Sequence, residues 1–263
     1  MGYYLLDHGA TRQYRTSRRA AVNGQITLHT AESILDLIGV DSGAENVAAF
    51  IARRADYGSY TLLGDRDSII TMAPFSYETW HDATRYPDGT RANSRSIGIS
   101  LAMAAADWPR LGAQHRQELI WTMAIMAAMA ADWLRTEHGI HVPARHLTKA
   151  ESDRGLPGFI GHGDRDPARR SDPGPRFPWA EFLAAYTDRS IPIEEDDMHR
   201  YHQAMADIDE LWLAYTGQPI PDGDRRAWGR DLAYKILNQG DDAGPTLAYI
   251  EWILREKFLG IRK

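Results

Sequence analysis

The sequence contains no cysteine. Neither a disulfide framework nor a thiolate metal site can therefore be built, and any metal must be held by nitrogen and oxygen. There is also no long apolar run. The most hydrophobic stretch, Leu119 to Leu134, falls short of the roughly 20 residues a bilayer needs and carries Asp132 inside it, so it reads as a buried core helix and not as a membrane insertion. A basic excess is missing too: Lys and Arg total 30 against 36 Asp and Glu, a formal net charge of -6, which argues against a surface that grips nucleic acid. The N-terminal MGYYLLDHGATRQYRTSRR breaks its short apolar stretch with Asp7 and His8. That is not the pattern of an export signal, and synthesis in the cytoplasm is expected. No HExxH segment occurs, which removes the commonest helix-borne route to a zinc peptidase.

The 263 residues, 43% hydrophobic and 25% charged, are enough for one large domain or a main domain with an appendage. A β-prone run, Ile26 to Leu28, puts His29 at a strand's C-terminal end, with a helix-start mix at Thr30 to Glu32. GAENVAAFIARRADYG has helical rhythm, SYTLL and SIITM flank the turn GDRD as a hairpin, and SIGISLAM (Ser96 to Met103) reads as a strand. A helix is expected from about Ala113 to His138, with Met123, Met126, Ala127 and Ala130 as its core stripe. PGFIGH supplies a strand ending in His162, and PWAEFLAAY opens a last helix on its Pro. Alternating strands and helices define an α/β class over residues 1 to 190. After RSIPIEEDD the texture changes to three amphipathic helices over 191 to 263, an all-α module. Its Trp212, Tyr215, Trp228 and Trp252 either stack on sugar rings or fill a small core, and helical spacing by itself means packing.

FIGHGDRDPARRSDPGPRFPW, Phe159 to Trp179, is broken by prolines and reads as a kinked loop that folds back on itself. It carries His162 and Asp172. Two imidazoles and a carboxylate are a common ligand set for a catalytic zinc that keeps its fourth position for water. A third ligand must come from elsewhere, and His29, at the end of another strand, stands where such a residue would. His115, His138, His141 and His146 flank the long helix without motif support and are expected on the solvated surface.

TLHTAES, NSRSIGISL and GHGDRDPARRSDPGPRFPW occur in the order of the motifs of zinc-dependent N-acetylmuramoyl-L-alanine amidases. Over roughly residues 20 to 187 the chain resembles that amidase and peptidoglycan-recognition family, phage endolysins in particular. The resemblance implies a mixed central β-sheet flanked by helices, a Zn2+ cofactor held by His29, His162 and Asp172, and bacterial peptidoglycan as partner. It further implies substrate contacts from the aromatic–His pair Trp80 and His81, and from Asn93 ahead of SIGI. The wall-lytic role it implies would have the protein made in a host cytoplasm and acting on the cell wall.

Two departures from the family pattern bear on mechanism. Where some members carry a Glu directly after IGI, this chain has Ser100, and a hydroxyl cannot serve as the base at neutral pH. The phage-type branch relies instead on a Tyr and a Lys, matched here by Tyr60 and by Arg170. Arg170 stays charged and offers a planar fork of donors, so its expected role is electrostatic, with Tyr60 orienting water or the scissile carbonyl. The rival expectation is a recognition protein that keeps the groove without hydrolysis. Such relatives usually lack a metal ligand, whereas all three candidates are present.

Overall fold

The computed structural model describes residues 4–7, 14–19, 21–35, 37, 41–54 and 58–188. The chain enters through β1 (Tyr4–Asp7) and β2 (Tyr14–Arg18) and reaches β3 (Gln25–Thr30), whose six residues are all buried. Helix α1 (Gly43–Arg53) follows, then β4 (Leu62–Gly64), β5 (Ser68–Thr71) and β6 (Tyr77–Thr79). A single helical turn, α2 (Ala92–Arg95), leads directly into β7 (Ser96–Leu101), and a 3-10 turn at Ala105–Arg110 precedes the long α3 (Ala113–His138). The remaining elements are α4 (Lys149–Asp153), β8 (Gly158–Gly161), α5 (His162–Arg165) and α6 (Trp179–Thr187).

Six strands form one sheet in the order β1-β5-β4-β7-β3-β8, and β2 pairs with β6 in a separate antiparallel ribbon. Within the large sheet β3 runs parallel to both β7 and β8, β4 runs parallel to β7, and β4 and β5 are the antiparallel hairpin expected around GDRD. This is a mixed α/β fold with a central sheet flanked by helices. A strand with parallel neighbours on both sides is covered on both faces, which is why Gln25, Thr27 and His29 are as buried as Ile26 and Leu28. The parallel register puts the ends of three strands at one edge. His29 lies opposite Ser100, and Leu28 lies opposite Gly161, the residue before His162. The carboxyl ends of such strands are where α/β sheets place their sites.

Helix α3 packs on β4 and β7 with α6 against it, and Met123, Met126, Ala127 and Ala130 are at most 0% exposed, the stripe read from the sequence. The helix closes at Gly139 in the left-handed conformation (φ 66), with the Gly139 and Ile140 amides returning to Arg135 and Leu134. A β-carbon is strained there, so glycine is the fitting residue. No helix among the described residues is long and apolar enough to cross a membrane.

Two local expectations are corrected. Thr30 to Glu32 does not start a helix: the Thr30 hydroxyl donates to Glu32 Oε1 at 2.8 Å and the Ala105 amide to the same oxygen at 3.1 Å. These bonds tie the segment to the 3-10 turn, with Glu32 itself at φ 52, and the helix begins only at Gly43. The Phe159–Trp179 stretch is also not all loop. Its His162–Arg165 portion is one helical turn, in which Asp164 Oδ2 accepts the Gly161 amide at 3.2 Å. The main unit extends from Leu5 to Pro192, and the three-helix module expected over 191 to 263 lies outside the described residues.

Candidate metal centre

β3 delivers His29 and β8 delivers His162, while Asp172 returns on the proline-bounded segment because the Gly163 amide donates to the Asp172 carbonyl at 2.6 Å. His29 Nδ1 lies 2.9 Å from Asp172 Oδ2, and His162 Nδ1 lies 3.3 Å from the same oxygen and 3.2 Å from Oδ1. One ligand atom from each residue falls within 4.8 Å of the others, and all three residues are buried. Zinc bonds of about 2.0–2.1 Å at tetrahedral angles separate neighbouring ligand atoms by about 3.3 Å, so the His–Asp separations are close to that spacing, and the nitrogen–oxygen donor set suits zinc.

Burial alone would raise the Asp172 carboxyl. Hydrogen bonds from His162 and His29 in their charged forms, reinforced by those charges, outweigh it and hold the group well below the usual carboxylate range. Burial lowers the His29 imidazole, partly opposed by its bond to Asp172. Both shifts favour the deprotonated forms that bind metal.

The other site candidates stand at different distances from this centre. Tyr60 is packed against His29 with ring centroids 5.2 Å apart. Burial pushes its phenol up to about 12, the Asp172 charge adding to the rise and a side-chain bond to Ser100 opposing it. Arg170 is exposed, and its charge acts on the Tyr60 phenol. Trp80 is half-buried and pairs through its backbone with Ser59. His81 is 5% exposed, with its ring 5.3 Å from that of His29. Asn93 is buried, and its Oδ1 accepts the amides of His81 (3.2 Å) and Asp82 (2.8 Å), which shapes the turn carrying those residues. His146 is exposed as expected but stacks on Trp179 at 3.6 Å and bonds to Asp164 at 2.9 Å.

Sequence reasoning missed a buried polar layer behind the ligands. Asp82 Oδ1 is 3.9 Å from His162 Nε2, and Asp82 Oδ2 pairs with Arg165 Nε at 3.2 Å. Arg165 in turn donates to Gln25 Oε1 at 2.6 Å, an oxygen that also takes the Tyr86 hydroxyl at 2.6 Å. The layer thus fastens α5, which carries His162, to the first residue of β3, which carries His29. The available signal was positional: Asp82 follows His81 directly, and Arg165 lies one helical turn after His162.

The family model of N-acetylmuramoyl-L-alanine amidase (Amidase_2) matches residues 18–175, and the chain belongs to that family. Two curated relatives are the 1,6-anhydro-N-acetylmuramyl-L-alanine amidases AmpD of Enterobacter cloacae, 27% identical over 46% of this chain and 53% of that protein, and of Citrobacter freundii, 28% identical over 50% and 58%. The chain therefore spans little more than half the length of these relatives. Among solved structures, the Staphylococcus aureus hydrolase AmiA is similar over 71% of this chain and 84% of its own, with 14% identity and a TM-score of 0.49.

Proposed function

We propose that the protein is a zinc-dependent amidase that hydrolyses the bond between N-acetylmuramic acid and the L-alanine of the stem peptide in bacterial peptidoglycan. The convergence of His29, His162 and Asp172 in a chain of this family carries the reading. Zinc, when bound, supplies a Lewis acid and lowers the pKa of a water in its open position to about 7.

The chain's own groups do the rest. Tyr60 remains a protonated donor throughout the neutral range, since burial holds its phenol up to about 12, and beside His29 it orients the scissile carbonyl by hydrogen bonding. Arg170 offers its guanidinium fork to the negative charge that develops on that oxygen. Ser100 bonds the Tyr60 side chain at the position where some members carry a carboxylate. The Tyr60 and Arg170 pairing also supports placing the protein among phage-type lytic enzymes that act on the wall.

A second reading comes from the two curated relatives, both named for amidases of the 1,6-anhydro sugar: the substrate would be a soluble anhydro-muropeptide instead of intact wall. The test is to incubate the zinc-loaded protein with purified peptidoglycan and, separately, with an anhydro-muropeptide, and to identify new amino termini. New L-alanine termini from the wall are expected. Termini from other residues would indicate a peptidase, termini from the soluble fragment alone would favour the second reading, and none from either would indicate a binding protein without hydrolysis.

A further inference from the structure

His81 is enclosed by protein on both of its ring nitrogens. Nε2 lies 3.3 Å from the Ser96 carbonyl oxygen, and Nδ1 lies 3.2 Å from His29 Nε2. A carbonyl oxygen can only accept, and its two lone pairs allow it to take Arg19 as well as His81. The proton of a neutral His81 ring must therefore sit on Nε2, which leaves Nδ1 bare. A bare Nδ1 requires His29 to donate from its own Nε2, and His29 Nδ1 is then the nitrogen left without a proton. That is the atom 2.9 Å from Asp172 Oδ2. Two lone-pair groups at that separation repel unless a cation lies between them, so the orientation that Ser96 imposes through two rings is the one a metal needs.

The sheet is built to hold His81 in this place. A β-carbon on Gly98, in the middle of β7, would come within 2.3 Å of His81 Cγ, so the strand lacks a side chain where the imidazole lies. Asn93 Oδ1 fixes the backbone of the same turn through the His81 and Asp82 amides. Nothing in this arrangement leaves a ring nitrogen of His81 for a substrate group.

We propose that His81 is a positioning residue, which transmits the Ser96 carbonyl to His29 and so fixes the metal-binding tautomer of that ligand. Ligand imidazoles in metal sites ordinarily give their second nitrogen to a carboxylate, carbonyl or water, and here a second imidazole stands in between. The inference rests on the zinc reading of the site, but its direct signature is a proton position.

The test uses the full chain labelled with 15N-histidine. Long-range 1H–15N spectra are recorded above the ordinary imidazole range, with and without Zn2+. The expected result is His81 protonated on Nε2 and bare on Nδ1 in both forms, with His29 carrying its proton on Nε2. A proton on His81 Nδ1 would overturn the proposal. If the unaltered chain takes up no Zn2+, the metal reading fails, while the His81 tautomer can still be read. As a second arm, His81→Phe fills the slot without an acceptor and should weaken Zn2+ binding by about tenfold or more. His81→Asn, which returns an oxygen near the Nδ1 position, should recover much of that loss. Undiminished affinity in His81→Phe would contradict the role, and the spectra of the unaltered chain decide the matter if that variant does not fold.

Discussion

His29 and His81 sit in surroundings that disfavour their charged forms, and the consequence can be measured. Burial lowers both imidazoles below the ordinary 6.5, His81 the further of the two, with the neighbouring His29 and Arg19 adding to the effect. The sign follows: below about 6.5 the unfolded chain binds protons that the folded chain refuses, so stability falls as pH drops, at about 1.4 kcal/mol for each unit of depression. Asp172, held low, is silent there and loses its contribution only below the ordinary carboxylate range, near about 4. Because the buried Asp65 carboxyl titrates with the opposite sign over the same range, the measurement uses the Asp65→Asn protein: its metal-free denaturant midpoints should decline from neutral pH towards about pH 5, and excess zinc should oppose the decline by favouring the unprotonated site. A flat profile would contradict the assigned burial effects. At the same scale, Arg170→Lys should keep hydrolytic activity and Arg170→Ala should lose several-fold or more, since only charge is asked of it. Equal rates in all three proteins would remove that role. His29, His162 and Asp172 were legible in the sequence because their motifs are dense and ordered. The place of His81 behind His29, and of Asp82 and Arg165 behind His162, was not, because it depends on the connection from β6 to α2 folding under β3, and spacing along the chain does not encode that.

At the scale of elements, the β4–β5 turn carries its own titration. Asp65 is buried beside Asp41 and Glu45 and takes the amides of Ala44, Asp67 and Ser68. Burial first, and then the neighbouring carboxylates, push it up to about 8. A raised carboxyl contributes stability in full below its unfolded value of about 3.9 and loses it as pH rises through the folded value. Denaturant midpoints should accordingly fall from neutral pH to about pH 8, where the imidazoles no longer titrate, and Asp65→Asn should remove this slope even though it costs one accepted hydrogen bond. Helix α3 offers a simpler test. Met126 is 0% exposed, and Met126→Ala should cost about 2–5 kcal/mol in denaturant unfolding. The apolar rhythm of this helix was readable from sequence because one face meets the sheet. The false helix start at Thr30 to Glu32 was not, because residues that suit an N-cap are just as able to bond elsewhere, here to each other and to the Ala105 amide.

For the molecule as a whole, the parallel run of β7, β3 and β8 turns three distant stretches of sequence into one edge, and that edge is the functional proposal. The alternation of strands and helices made the α/β class legible, whereas the strand order depends on crossovers that no local pattern reports. The boundary read near residue 190 stands as a proposal of two modules, and limited proteolysis is expected to cut there first. Release of a fragment that keeps the zinc ligands would support two modules, and initial cleavage within the catalytic unit would count against them. The central claim is met most directly by equilibrium dialysis of the metal-stripped full chain against Zn2+, beside His29→Ala, His162→Ala and Asp172→Ala. The account predicts one ion per unaltered chain and a loss of tight binding in each variant. No stoichiometric uptake by the unaltered chain, or uptake undiminished in any of the three variants, would contradict it.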